Sequence, residues 1–460
     1  MKLSNWQKIL YSSGALGTSL SYLAFGTYIQ FLYIDILGLK ASLVGIGWSL
    51  YGIWNAFNDP LAGFLSDNTR TKWGRRKPWI AGAFIPLGLF FYLLWVPPSP
   101  LIEGGDVPLF IYFIGIVLIF DTLWTFVVMN WTSLFPEMIR DEKERATVSG
   151  MRQAFTVVGL LVGVALPPIL VGQNWNGRGT MAIAFGAITS LTMGLSLLGS
   201  RENLEAQHEK QPPLLPALLA TFRNTSFRWF VLANLHKEFI VILLQATTPF
   251  WAKYVLNIQQ PILLFGQQIS AELQNSLLLG SIFIMTLPGI PFWTWVAKRF
   301  GSRRGWQISQ ATFALSMLSI YLANNFNQAV SGTSVIGLSL AGLLVFPDLL
   351  ISDIIDEDET VIGARREGVY FGINGFLIRF AFTMQGITTA LVLSLSGYIP
   401  AVAGEAAVQP ASAIFGIRAM VSLVPIAASL VTIYALQMYP LHSAKLKRVR
   451  VRVDELKKSS

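Results

Sequence analysis

Runs of about 20 apolar residues recur along almost the whole chain, and a backbone in hydrocarbon must satisfy its own hydrogen bonds, which a run of that length does as a helix. Twelve such spans are predicted at 9–37, 42–65, 78–97, 109–135, 148–171, 179–199, 227–256, 271–297, 306–325, 332–352, 368–397 and 411–438. The composition agrees: 53% of the 460 residues are hydrophobic and only 13% are charged, where a soluble domain carries nearer a quarter. The chain is therefore expected to be an all-α, multi-pass membrane protein. The first span is much too long for a signal-peptide core and no small-residue cleavage site follows it, so it is expected to be retained.

Lysine and arginine placement sets the expected orientation, because positive residues near span ends are held on the cytoplasmic side. With the N-terminus inside, 27 of the 34 fall in cytoplasmic segments; Lys40, Arg178 and Lys253 sit in outer loops, and Arg152, Lys237, Arg379 and Arg418 within spans. Both termini are thus expected to be cytoplasmic, in the plasma (inner) membrane. The net charge of +9 follows from this topology and gives no reason to invoke nucleic acid. The tail Lys445-Leu446-Lys447-Arg448-Val449-Arg450-Val451-Arg452 is expected to lie against anionic headgroups. Without cysteine, disulfides, thiolate zinc sites and iron–sulfur clusters are excluded.

The longest polar stretch, Arg201 to Arg223, contains Glu202, Glu205, Glu209, Lys210 and Pro212-Pro213 and reads as a linker. Two six-helix bundles are expected around it: residues 1–200 and 226–440, with a linker at 201–225 and a basic tail at 441–460. The halves share punctuation. Lys72-Trp73-Gly74-Arg75-Arg76 follows span two and Arg299-Phe300-Gly301-Ser302-Arg303-Arg304 follows span eight, the glycines 227 positions apart. That spacing suggests a parallel internal repeat. No G-x-x-x-x-G-K-[ST] run occurs, so any concentrative work would draw on an ion gradient or on the substrate's own. No cofactor, metal site or enzymatic chemistry is expected.

Chemistry concentrates in span two. Asp59 stands in mid-span, where an ionised carboxylate costs on the order of 3 kcal/mol and so needs a partner, a proton or a bound cation. Residues 55, 58 and 59 fall on one helical face, presenting Asn55, Asn58 and Asp59 together. Pro60 supplies no intrahelical donor, which frees the Ala56 carbonyl. At the span's cytoplasmic mouth, Gly63 permits close helix packing, and Asp67, Arg70, Arg75 and Arg76 are candidates for an inter-helix latch or a static anchor. In span five Gly159-Leu-Leu-Val-Gly163 is a close-packing motif. In span seven His236-Lys237-Glu238 is expected some 14 Å deep at about 1.5 Å per residue. Lys237 and Glu238 point some 100° apart and are expected to have separate partners, or to snorkel.

Asn58-Asp59-Pro60, Gly63, Asp67, Thr69-Arg70 and Gly74-Arg75-Arg76-Lys77-Pro78-Trp79 resemble the helix-two signature of the glycoside-pentoside-hexuronide:cation symporters, the melibiose-permease group of the major facilitator superfamily. Ser133-Leu134-Phe135-Pro136-Glu137, Glu144-Arg145 through Arg152, and Asp353-Ile354-Ile355-Asp356-Glu357-Asp358-Glu359 with Arg365-Arg366-Glu367-Gly368 agree, so the resemblance covers both halves. It implies the major facilitator fold, a small-molecule substrate such as a sugar or glycoside, alternating access and a coupling ion, H+ or Na+, with a monomer as the default.

The resemblance also marks departures. The family's cation site has carboxylates at the positions of Asn55 and Asp59; here the first is an amide, and a helix-four carboxylate of melibiose permease falls at Val128. Asp121, two turns away on the same helix, is a candidate replacement. One carboxylate makes a thin sodium site, which favours proton over sodium coupling. The sugar-clamping Lys-Asp pair of helix one becomes Thr18-Ser19, while the helix-five and helix-eleven cations are kept as Arg152 and Arg379. Such a pocket tilts towards a less hydroxylated or anionic substrate. Arg152 and Arg379 are candidates for substrate contact or for pairing with Asp59 or Asp121, and Trp131 for stacking on the substrate. A lysophospholipid or other amphiphile transporter, and a non-transporting receptor with the same fold, are the alternatives.

Overall fold

The computed structural model describes residues 4–139, 142–202, 221–264, 266–362, 366–401 and 407–459. Helices form where the apolar runs predicted them: α1 (Asn5–Phe31, extended by a π-helical turn, Leu32–Ile36), α2 (Ala41–Asn68), α3 (Lys77–Trp95), α4 (Asp106–Met138), α5 (Glu142–Val171) and α6 (Arg178–Gly199). They continue with α7 (Thr225–Tyr254), α8 (Ala271–Phe300), α9 (Ser302–Leu322), α10 (Phe326–Ile362), α11 (Glu367–Ile378 and Phe380–Leu395), α12 (Ala411–Val421 and Leu423–Met438) and α13 (Ser443–Ser459). One short hairpin, Ile262–Leu264 with Gln267–Ile269, precedes α8. By length and composition alone, nine spans among the described residues are apolar enough to cross a membrane. Spans α1, α2 and α9 are more polar because they are rich in serine, threonine and amides. Several of their hydroxyls are satisfied locally: Thr18 donates to the Gly14 carbonyl at 2.9 Å and Ser21 to that of Gly17 at 2.8 Å, which removes most of the penalty for burying them.

The chain divides into two compact units. Unit 1 holds residues 1–210, 245–280 and 386–416; unit 2 holds 211–244, 281–385 and 417–460. In unit 1, α1 lies between α5 and α6, and small residues set its distance from both. A Cβ on Gly159 would stand 2.5 Å from the Leu16 carbonyl oxygen, and one on Gly163 2.6 Å from that of Leu20. Gly17 meets the Thr189 backbone as closely. The Gly159/Gly163 pair is therefore a backbone-to-backbone contact, as its spacing predicted.

In unit 2, α9 packs on α10 around a core that includes Phe227, Phe230, Trp306, Phe346, Leu350 and Tyr370. The tail departs from expectation. Instead of resting only on headgroups, α13 folds onto α10, placing Val449 and Val453 in the core. Arg450 reaches Asp353 at 3.0 Å and Lys445 reaches Glu357 at 2.5 Å. The valines between its basic residues recur at helical spacing and form an apolar stripe that charge alone does not reveal. Spans eleven and twelve are each interrupted, at Arg379 and at Ser422. The Ser422 hydroxyl donates to the Arg418 carbonyl at 2.5 Å, a local bond that competes with the helical ladder. Glu205, Glu209, Lys210, Pro212, Pro213 and Arg365 lie outside the described residues.

Candidate functional site

The helix-two face meets α4 inside unit 1. Asn55 Nδ2 donates to Asp121 Oδ1 at 2.7 Å, and Asn58 Nδ2 donates to Asp121 Oδ2 at 3.0 Å and to Thr125 Oγ1 at 3.0 Å. The Thr125 hydroxyl donates to Asp59 Oδ1 at 3.3 Å. Asn55, Asn58, Asp121 and Thr125 are each no more than 1% exposed, and Asp59 is half-buried. Asp121 thus joins the predicted face, and the cluster holds two carboxylates rather than one. The helical period brings 55, 58 and 59 together on α2, and Asp121 and Thr125 stand one turn apart on α4.

Two acceptors in this cluster lack donors. The side-chain oxygens of Asn55 and Asn58 are buried without a hydrogen-bond partner. Each Asn spends its N–H groups on α4 and turns its carbonyl dipole to nothing that can donate. Buried amide oxygens are normally satisfied; those of Asn130, Asn234, Asn275 and Gln310 are likewise without a partner among the described residues. Two carboxyl groups, two amide oxygens and a hydroxyl are hard-oxygen groups of the kind a small cation takes.

Arg152 lies elsewhere in unit 1 and makes no ion pair with Asp59 or Asp121. Its guanidinium carbon is 4.5 Å from the Trp131 ring centroid, 4.8 Å from that of Phe135 and 5.9 Å from that of Tyr11. Its Nε is buried without a hydrogen-bond partner. Trp131, only 3% exposed, is pinned to α1: Tyr11 donates its hydroxyl to the Trp131 carbonyl at 2.8 Å, and the indole N–H donates to the Tyr11 carbonyl at 3.2 Å. Its ring is engaged in cation–π contact with Arg152 and in packing, which leaves little surface for substrate stacking. Thr18 is buried and bonded within α1; Ser19 faces Gly159 of α5. Arg379, in unit 2, caps the first segment of α11.

The loop after α2 is built around a carboxylate that sequence reading passed over. Glu202 accepts from the backbone N–H of Arg75 at 2.7 Å, of Arg76 at 3.0 Å and of Lys77 at 3.1 Å. Gly74 has φ +104°, and a Cβ there would stand 2.2 Å from Glu202 Oε2, so only glycine admits this approach. Asp67 reaches Arg75 at 3.6 Å and Arg76 at 3.7 Å, Gly63 faces Met129 of α4, and Arg70 is exposed without an ion pair among the described residues. A second missed group is Asp35, 0% exposed, which accepts from Lys253 at 2.7 Å and from the hydroxyls of Tyr254 and Tyr398. The signal in each case was a lone acid beside a span end.

The triplet of α7 corrects its expectation. Lys237 pairs with its neighbour Glu238 at 2.5 Å. Their Cα–Cβ bonds diverge, but two long side chains curl together where burial leaves no water to solvate them. His236 Nδ1 lies 2.9 Å from the Leu232 carbonyl.

The family model for MFS/sugar transport proteins matches residues 10–443. The chain belongs to that family. It is accordingly a multi-pass membrane transporter of the major facilitator superfamily, akin to the melibiose-permease group, and not an enzyme. Among its relatives, the isoprimeverose transporter of Lactiplantibacillus pentosus is 25% identical, over 85% of this chain and 81% of that protein. Sodium-dependent lysophosphatidylcholine symporter 1 of Gallus gallus is 22% identical, over 100% of this chain and 91% of its own. The crystal structure of a bacterial homolog of the human lysosomal transporter Spinster superposes with a TM-score of 0.67 at 11% identity, covering 98% of this chain and 99% of that one, a likeness of fold alone.

Proposed function

We propose that the protein is a cation-coupled symporter of a sugar, glycoside or related small organic solute, working by alternating access, with the Asp59–Asp121 cluster as its coupling site. The observation that carries this reading is the pair of buried, donor-less oxygens of Asn55 and Asn58 beside two carboxylates. The count of oxygens also revises the preferred ion. A lone carboxylate favours a proton, but two carboxylates with two amide oxygens favour sodium, which needs several oxygens at once. Arg152 and Arg379, as the retained cations, are the proposed substrate contacts, with Thr18 and Ser19 shaping the helix-one wall.

A second substrate class has its own support. Unit 1 contains a cavity of about 360 Å³ whose lining joins Lys253, Glu272 and Asn275 to Phe31, Pro167 and Leu279. An amphiphile with a charged headgroup and an apolar tail would match both kinds of surface, as would the substrate in the name of the Gallus gallus relative.

The deciding experiment is uptake by the reconstituted protein from a panel of sugars, glycosides, uronates and lysolipids under separately imposed sodium and proton gradients. Sodium-driven accumulation of a sugar or glycoside, lost in Asp59→Asn, is the expected result. Undiminished accumulation by that variant would sink the coupling role. Accumulation of lysolipids alone would select the second class, and binding without accumulation of anything would select a receptor.

A further inference from the structure

The two glycine-punctuated loops have become the same device with one part exchanged. In unit 1 a left-handed glycine, Gly74, ends the loop, α3 starts, and the orphan N–H groups at the helix start converge on the carboxylate of Glu202, just past the end of α6. Lys77 Nζ also donates to the Ser200 carbonyl at 3.2 Å, tying the start of α3 to the end of α6. In unit 2 the left-handed glycine is Gly301, φ +80°, α9 starts at Ser302, and Arg303 ties it to the end of α12 by donating to the carbonyls of Leu436 at 2.7 Å and Gln437 at 2.8 Å. Where the first loop meets Glu202, the stretch after α12 offers Leu441 and His442. No side chain caps the start of α9.

What stands there is a cavity of about 240 Å³, lined by Arg303, Arg304, His442, Lys447, Arg450 and Tyr439 among others. Asp353 is its acid, and it is matched by Arg450 at 3.0 Å. Arg304 and Lys447 make no ion pair among the described residues. The hydroxyl of Tyr439, a residue 1% exposed, is buried without a hydrogen-bond partner. Burial, then the charges of Arg303 and Arg304, push the His442 imidazole below its ordinary range. A helix N-terminus with unspent N–H groups and the positive end of its dipole attracts anions, and clustered guanidinium and ammonium groups do so more strongly for multiply charged ones.

We propose that this cavity binds a phosphate-bearing anion, which takes at the start of α9 the place that the Glu202 carboxylate takes at the start of α3, and is held by the first-turn N–H groups of α9 with Arg304, Lys447 and the Tyr439 hydroxyl. Because the cavity is closed on one side by α13, such a ligand clamps the tail helix to α9. The phosphate can belong to an anionic lipid headgroup or to a soluble molecule, and the test separates them.

Delipidated full-length protein in detergent is titrated calorimetrically with dioctanoyl-phosphatidylglycerol, dioctanoyl-phosphatidylcholine and sodium pyrophosphate. The expected result is saturable binding of phosphatidylglycerol, of pyrophosphate or of both, none of phosphatidylcholine, and a loss of about tenfold or more in affinity in Arg304→Gln/Lys447→Gln. Both replaced side chains are exposed, so that variant should melt like the parent without ligand. Tyr439→Phe should weaken binding several-fold. Binding of the lipid but not of pyrophosphate identifies the membrane as the source; binding of pyrophosphate identifies a soluble phosphate as sufficient. Failure of both anions to bind, equal binding of phosphatidylcholine, or undiminished affinity in the double variant overturns the proposal. None of these readouts depends on transport, so the coupling site and this cavity stand or fall separately.

Discussion

Two polar clusters are buried in helices of this protein, and they solve the same problem in opposite ways. In α7 the charges of Lys237 and Glu238 cancel each other at 2.5 Å, with Asp348 within electrostatic range of both. In α2 and α4, Asp121 takes the amide donors of Asn55 and Asn58, Asp59 takes the hydroxyl of Thr125, and two amide oxygens are left over. The α7 pair carries its own counter-charge. The α2/α4 cluster, with its surplus acceptors, is the one proposed to take a cation. Burial alone therefore does not separate these two clusters; their balance of donors and acceptors does.

That contrast can be broken by substitution. Asp121→Asn removes an anionic ligand worth about 1.5–3 kcal/mol, so sodium-driven accumulation in proteoliposomes should fall by about 10- to 100-fold. Retention of wild-type coupling would place Asp121 with Lys237 among the structural charges. Asn58→Ala takes away one neutral oxygen, worth about 1 kcal/mol, and should raise the sodium concentration for half-maximal uptake about fivefold, without changing the choice of solute.

On the other side of the comparison, Lys237→Met strands Glu238 in a partly buried place and should cost about 3 kcal/mol of stability, read as a lower melting temperature in detergent. The sodium dependence of uptake should not change. Lys237→Met with Glu238→Leu removes both charges and should recover most of that loss; a shifted sodium dependence in the double variant would move the triplet from scaffold to mechanism.

Much of this was legible before any coordinates. Length and hydropathy gave the helices, because a spanning segment has few ways to be built. The period of α2 gave the shared face of Asn55, Asn58 and Asp59, because 3.6 residues per turn is a local rule. The recruitment of Asp121, 62 residues away from Asp59, depends on which faces of α2 and α4 oppose each other, and that is settled by packing across the whole unit. Asp121 could be named as a candidate from its place on the helix, whereas the role of Glu202 was hidden, since its donors are backbone N–H groups that have no letter in a sequence. The Lys237–Glu238 pair was misjudged because helical angles describe where side chains start, whereas four- and five-bond side chains in a dry place go to each other. Charge counting likewise took the tail for a surface strip, while its valines give α13 a buried stripe.

The carbonyl contacts of Gly159 and Gly163 with α1 bear on how such a machine can move. Where backbone touches backbone there is no cushion of flexible side chains to absorb sliding, so α1 and α5 form a tie-bar that transmits displacement undamped. Any rearrangement that exposes the substrate to the other side must then carry these two helices as one stiff piece, with the bending taken up elsewhere.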